Sequence, residues 1–116
     1  MIKKFLEYND PGYIEITLLE YRSTYIKKEI DNNIEEELDL INNILPYDRF
    51  ASICEYPGGQ RCINIYPVSD IPQVSSHRLA NIDKLVDEWY LVEISNTLYR
   101  CDQMYGLTNC INNCLP

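Results

Sequence analysis

The sequence predicts an α+β fold, in which N-terminal helices pack on an antiparallel sheet of about four strands built from two hairpins and a short helix follows at the C-terminus. Three observations predict it: a helical period of apolar residues up to residue 45, two hairpin-like segments after it, and an apolar i, i+4 pair near the end. The length of 116 residues suits a single domain, 1–116, with one core.

The helical part is expected between residues 12 and 45. Apolar residues recur there at spacings of four, four, three and four, which marks one face of a helix: Ile30, Ile34, Leu38, Ile41 and Leu45. Pro46 ends this helix. Residues 12–30 fit two structures, because a helical spacing overlaps an alternation of apolar residues at 13–19. A helix is favoured there, and a short strand at 13–19 stays open.

Two hairpins are expected after the helices. Residues 50–56 and 61–66 flank Pro57-Gly58-Gly59-Gln60, a strong turn signal that places Cys54 opposite Cys62. Residues 89–94 and 97–102 flank Ser95-Asn96, and this register sets Trp89 beside Asp102. A proline-rich loop at 67–76 and a short helical turn at 78–86 connect the hairpins. Residues 103–115 are expected to form the terminal helix through Leu107 and Ile111.

The charge of the chain limits its partners. Its 18 acidic and 10 basic residues give a net charge of −8, which disfavours binding to nucleic acid or to anionic membranes. The same charge suits a basic protein, because opposite charges accelerate association. No signal peptide or membrane span is evident, and five cysteines without a secretion signal favour reduced thiols. A cytosolic location is therefore expected.

The residues that catalysis or metal binding would need are poorly placed. The single histidine, His77, lies in a polar loop and no cysteine has a recognisable nucleophile context. Cys101, Cys110 and Cys114 are separated by nine and four residues, which does not match the paired spacing of structural zinc sites. The chain is predicted to be no enzyme and to hold no cofactor or metal.

Aromatic residues that are common in protein interfaces are abundant. Ten tyrosines and one tryptophan exceed what a core of this size needs, and such side chains recur as binding hot spots. Tyr47, Trp89 and Tyr105 are expected at the surface.

Two stretches carry a family resemblance: DEWYLVEISNTLYRCDQMYGLTNCI at 87–111 and CINIYPVSD at 62–70. Within them, Asp87-Glu88-Trp89-Tyr90, Tyr99-Arg100-Cys101-Asp102-Gln103 and Gly106-Leu107 resemble small immunity proteins of bacterial polymorphic toxin systems, particularly those of contact-dependent growth inhibition. The resemblance implies a cytosolic protein that binds the C-terminal domain of a cognate toxin and blocks its active site. Many such toxin domains are basic nucleases, so carboxylates would stand where substrate phosphates bind.

The function expected from these observations is that of a toxin inhibitor whose acidic and aromatic side chains form one binding surface. The candidate residues are Asp70, Asp83, Asp87, Glu88, Trp89, Asp102 and Tyr105. Glu35, Glu36 and Asp39 on the outer face of the predicted helix form a second possible surface. A phage-encoded acidic inhibitor of a host nuclease is the alternative, and a small metal-dependent regulator or enzyme is a weaker one. The oligomeric state is left open by the sequence.

Overall fold

A computed structural model describes residues 10–68 and 77–116 of the chain. Its centre is a six-stranded, fully antiparallel sheet with the strand order β1-β6-β5-β4-β3-β2. Strands β2 to β6 form a meander, and β1 pairs with β6 at the edge. The strands are β1 (Tyr13–Ile16), β2 (Arg49–Glu55), β3 (Arg61–Pro67), β4 (Ala80–Lys84), β5 (Trp89–Ile94) and β6 (Thr97–Asp102).

Three helices accompany the sheet. Helix α1 is a single α-helical turn (Leu18–Glu20) that continues as a π-helical turn (Tyr21–Tyr25). Helices α2 (Glu35–Ile44) and α3 (Gln103–Cys114) are regular. In the described part of the chain, no helix has the length and apolar character needed to cross a membrane.

The prediction of about four strands was wrong, because β1 and β4 add one strand each. Residues 13–16 form a strand instead of the favoured helix, so the open alternative was right for this segment. Thr17 marks the change from strand to helix: its hydroxyl accepts a hydrogen bond from the N–H of Glu20, and the Glu20 carboxylate accepts one from the N–H of Thr17. This capping box confines the helix to the residues that follow.

Strand β4 replaces the helical turn predicted at 78–86. Its residues alternate between the two faces of the sheet, so that Ala80 and Ile82 are buried in the main core while Asn81 and Asp83 point to the opposite face. This alternation is usual for an antiparallel strand with one face on the core, but it extends over only five residues, too few to distinguish a strand from a helical turn by period alone.

Helices α2 and α3 cover one face of the sheet, which we call the helix-covered face. Ile34, Ile41, Leu107 and Ile111 are buried there against Ile65, Val92 and other strand residues. The predicted apolar spacing thus identified the buried stripe of α2, and the predicted C-terminal helix is confirmed. The N-terminal helices are shorter than predicted, since α2 begins only at Glu35 and Ile30 forms an isolated β-bridge with Leu85.

The predicted hairpin registers are confirmed. Trp89 is the cross-strand partner of Asp102, and Cys54 is the partner of Cys62. Ser95 and Asn96 form the two-residue turn, with φ angles of 51° and 65°.

The opposite face of the sheet is only partly covered. Helix α1 lies across this face near β5 and β6, where Tyr21 and Tyr25 pack against the buried side chains of Leu85 and Leu91. Every residue of α1 is at least partly exposed, and Leu19 is 75% exposed. The remainder of this face is where the candidate site lies.

Candidate functional site

A cleft of about 490 Å³ opens on the partly covered face of the sheet, beside α1. Its lining combines apolar and acidic side chains. The apolar ones include Ile16, Leu18, Tyr21, Leu91 and Leu98, and the acidic side chains that enter it are those of Asp83 and Glu93. Glu15 also borders the cleft, but its side chain shares the helix-covered face with that of its cross-strand partner Tyr99. We call this site the acidic cleft.

The pleat of β4 and β5 brings two of these carboxylates together. Asn81 is the cross-strand partner of Glu93, and Asp83 is the partner of Leu91. Residues two positions apart on a strand share a face, so Asp83 and Glu93 are diagonal neighbours on the same side of the sheet. Their side chains therefore enter one cleft from adjacent central strands.

Asp83 is a largely buried carboxylate in the acidic cleft, and its charge is only partly compensated. Its Oδ1 atom is buried and has no hydrogen-bond partner among the described residues. Burial raises the pKa of Asp83, and the positive charge of Arg78 and a hydrogen bond from Gln60 offset this effect only in part. A buried carboxylate without full compensation gains stability when a cationic ligand reaches it.

Glu93 lies at the more exposed rim of the cleft. Its carboxylate is 3.5 Å from the guanidinium of Arg78, and both side chains are about 40% exposed. An exposed pair of this kind contributes little to stability, so it can be exchanged for another cation at small cost. Burial, followed by the charges of Asp83 and Glu93, raises the pKa of Tyr21. Both carboxylates thus act on the same part of the cleft.

Buried amides fix the sheet next to Asp83. The Nδ2 group of Asn81 donates to Oδ1 of Asn64 at 2.8 Å and lies 3.2 Å from Sγ of Cys62. Asn64, which is 3% exposed, donates in turn to the hydroxyl of Tyr66 at 3.2 Å. Such a hydrogen-bonded network holds its members in one arrangement. It gives the acidic cleft a rigid border on the side of β3.

The other predicted site residues do not share the cleft with Asp83. Asp87 and Glu88 lie in the turn between β4 and β5, where Asp87 is 3.7 Å from Nζ of Lys28. Trp89 is half-buried, with the guanidinium of Arg100 stacked 4.2 Å from its ring centre. Asp87, Trp89 and Arg100 border a separate pocket of about 200 Å³ that Tyr25 also lines. The expectation of one continuous surface is therefore not supported for this group.

Asp102 and Tyr105 lie near the start of β1. The N–H of Asp102 donates to the carbonyl of Gly12 at 2.7 Å, and the ring of Tyr105 occupies the space where a side chain on Gly12 would stand. A side chain on Gly106 would overlap the same Gly12 carbonyl. This close packing gives Gly106 of the family-like motif and the ring of Tyr105 a structural role, whereas Asp102 contributes its backbone N–H to it. Asp70 lies outside the described residues.

The remaining surface predictions have mixed outcomes. Tyr47 is 96% exposed and Tyr105 is 47% exposed, as predicted, whereas Trp89 is not fully exposed. On α2, Glu36 and Asp39 are exposed as expected. Glu35 is also exposed, but its carboxylate pairs with the guanidinium of Arg61 at 2.7 Å.

All five cysteines are free thiols, and the buried ones are poor nucleophiles. Burial raises the pKa of Cys62, while a hydrogen bond with Cys101, followed by burial, raises that of Cys110. A raised pKa keeps a thiol protonated and unreactive. Within residues 10–68 and 77–116, no three His, Cys, Asp or Glu side chains are grouped so as to hold a metal ion.

The sequence analysis did not identify Tyr21 and Glu93 as site residues. Glu93 could have been found, since in the predicted strand it lies four residues after Trp89 and therefore on the same face. Tyr21 depends on the position of α1, which a single helix at 12–30 obscured. Comparison of the chain with protein-family models, curated proteins and solved structures gave no match in any of the three.

Proposed function

We propose that this chain is a non-catalytic immunity protein, which binds a cationic surface at or beside the active site of a toxin domain in the cytosol. The observation that carries the proposal is the acidic cleft, where Asp83 is largely buried without a full set of partners and lies diagonally across from Glu93. A basic partner would supply the missing positive charge. The resemblance of residues 87–111 to immunity proteins also supports this function.

The net charge of −8 supports a charged partner in a second way. A protein with a strong net charge attracts an oppositely charged partner over a distance of about one Debye length, which raises the association rate. The cleft then provides local contacts that slow dissociation. Exposed Leu18, which lines the cleft and is 53% exposed, adds apolar area at its edge.

The experiment is co-expression of the chain with the toxin domain encoded beside it, scored by growth and by co-purification. Wild-type protein should restore growth and form a complex. The double variant Asp83→Asn/Glu93→Gln should weaken the complex at least tenfold, because both cleft carboxylates become neutral. Raising salt from about 50 to 500 mM should slow association of the wild type far more than dissociation.

A matched control separates the cleft from net charge alone. Glu36→Gln/Asp39→Asn changes the net charge by the same amount on the exposed face of α2, and it should leave the affinity within about twofold. Equal losses from both double variants would show that only overall charge matters. No protection by the wild-type protein would refute the proposed function.

A further inference from the structure

The acidic cleft is more selective than a simple acidic patch, since its carboxylates stand among apolar and aromatic side chains. Asp83 and Glu93 approach from neighbouring strands, and Tyr21, Leu91 and Leu98 line the same space. With a volume of about 490 Å³, the cleft is large enough for one long side chain and part of the backbone that carries it. The occupant must therefore be both cationic and partly apolar.

We infer that the acidic cleft receives an arginine side chain of the partner, with its guanidinium group on Asp83 and Glu93 and its methylene groups on the apolar wall. This inference rests on the proposed function and names the chemical group that the cleft recognises.

Arginine fits this lining better than lysine for two physical reasons. A guanidinium group has five N–H donors in one plane and can bond two carboxylates at once, as the diagonal placement of Asp83 and Glu93 requires. It is also more weakly hydrated than an ammonium group and stacks on aromatic rings such as Tyr21. A lysine would lose more hydration on entering a space bordered by Leu91 and Leu98.

The cationic side chains of the protein itself do not fully compensate the charge of Asp83. The positive charge of Arg78 acts on Asp83, yet the ion pair of Arg78 is with Glu93 at 3.5 Å and its side chain is 40% exposed. The Oδ1 atom of Asp83 has no hydrogen-bond partner in the described part of the chain, and because it is buried, a guanidinium group reaches it when the carboxylate turns toward the cleft that Asp83 lines. Burial, followed by the charges of Asp83 and Glu93, raises the pKa of Tyr21, which lines the same cleft.

The test uses three short capped peptides, acetyl-Gly-X-Gly-amide, in which X is arginine, lysine or the neutral arginine analogue citrulline. Each is titrated into the full-length ¹⁵N-labelled protein while amide chemical shifts are recorded. The arginine peptide should saturate with a Kd in the millimolar range and shift amides around Asp83 and Glu93. The lysine peptide should bind at least threefold more weakly, and the citrulline peptide should not saturate.

Variants assign the binding to the cleft. Asp83→Asn should weaken the arginine peptide at least tenfold while the protein stays folded, as judged by its dispersed spectrum. Asp39→Asn, an exposed carboxylate on α2, should leave the Kd unchanged. Equal binding of the arginine and lysine peptides, unchanged binding to Asp83→Asn, or shifts confined to another surface would each overturn the inference.

These experiments distinguish a failure of the arginine inference from a failure of the proposed function. If Asp83→Asn/Glu93→Gln loses toxin binding but the peptides show no arginine preference, the cleft is the interface and the arginine inference fails. If the arginine peptide binds as expected but the double variant still neutralises the toxin, the arginine pocket stands and its place in the proposed interface is refuted.

Discussion

Asp83 combines a structural cost with a candidate function. Its carboxylate lies on a central strand, where burial raises its pKa and its Oδ1 atom lacks a hydrogen-bond partner among the described residues. A side chain selected only for stability at this position would be neutral. Functional residues often occupy such unfavourable positions, and their replacement then increases stability while it removes activity.

Asp83→Asn should therefore raise the free energy of unfolding at neutral pH by about 1 kcal/mol, because the amide has the same shape as the carboxylate but carries no charge that burial would disfavour. Because the pKa of Asp83 is raised in the folded state, the folded wild type takes up a proton first as the pH falls. The wild type is less stable than Asp83→Asn at neutral pH, and this difference shrinks as the pH falls from the folded pKa of Asp83 to its unfolded pKa of about 4. Urea denaturation at neutral and at mildly acidic pH measures both effects.

Asp39→Asn is the control, because Asp39 is exposed on α2 and should change stability by less than about 0.5 kcal/mol at either pH. A loss of stability in Asp83→Asn at neutral pH would mean that the carboxylate makes favourable contacts in the fold.

At the scale of elements, the sequence specified those parts whose side chains follow one simple period. The α2 stripe, the Pro57-Gly58-Gly59 turn and the Ser95-Asn96 turn were predictable because local chemistry determines them. Strand β4 also alternates, with Ala80 and Ile82 apolar and Asn81 and Asp83 polar, but its five residues are too few to distinguish this period from that of a helical turn. The cleft was missed because it exists only once β1, β4, β5 and β6 lie in one sheet.

A buried ion cluster shows how β4 also fixes the start of α2. Nζ of Lys84 lies 2.7 Å from the carboxylate of Glu37 and 3.3 Å from that of Asp31. Burial opposes the charge on Lys84, but hydrogen bonds to Glu37 and Asp31 outweigh it and raise the pKa of Lys84. A hydrogen bond from Asn33, with a further one from Lys84, lowers the pKa of Asp31. Glu37 is only 8% exposed, although no apolar period predicts its burial.

Lys84→Met should lower the free energy of unfolding by about 3 kcal/mol, because it leaves the Glu37 carboxylate buried without its cation. The double variant Lys84→Met/Glu37→Met should recover most of this loss, since an apolar pair can replace a buried ion pair at little cost. Urea denaturation of the wild type, both single variants and the double variant gives the coupling energy. Additive effects of the two substitutions would contradict the cluster.

Lys28→Met provides the comparison with a surface pair. Lys28 and Asp87 are 3.7 Å apart and both about 45% exposed. Loss of this ion pair should therefore lower the free energy of unfolding by no more than about 0.5 kcal/mol.

At the scale of the whole molecule, the two faces of the sheet have different compositions. Helices α2 and α3 cover one face with a continuous apolar core, whereas the other face carries α1, buried amides and the acidic cleft. The central strands can carry polar side chains on this face because their alternate side chains are buried on the helix-covered face. Tyrosine side chains lie on both faces of the sheet, so their ionisation tests the packing of each face.

Three tyrosines should make the fold sensitive to alkaline pH. A hydrogen bond with Cys62, together with burial, raises the pKa of Tyr56 to about 12, and burial raises those of Tyr90 and Tyr99 to about 12. In the unfolded chain these groups ionise near pH 10. The folded state holds more protons between these values, so its stability is intact below about pH 10 and falls as the pH rises toward 12.

Tyrosinate absorbance and far-ultraviolet circular dichroism, recorded together, should show one group of tyrosines titrating early and the rest titrating as the fold is lost. Tyr90→Phe removes one of the three buried hydroxyls and should make this loss of stability less steep. Urea-unfolded protein serves as the reference, in which all ten tyrosines should titrate near pH 10. Ionisation of all ten near that pH with the circular dichroism unchanged would show that Tyr56, Tyr90 and Tyr99 are not protected by the fold.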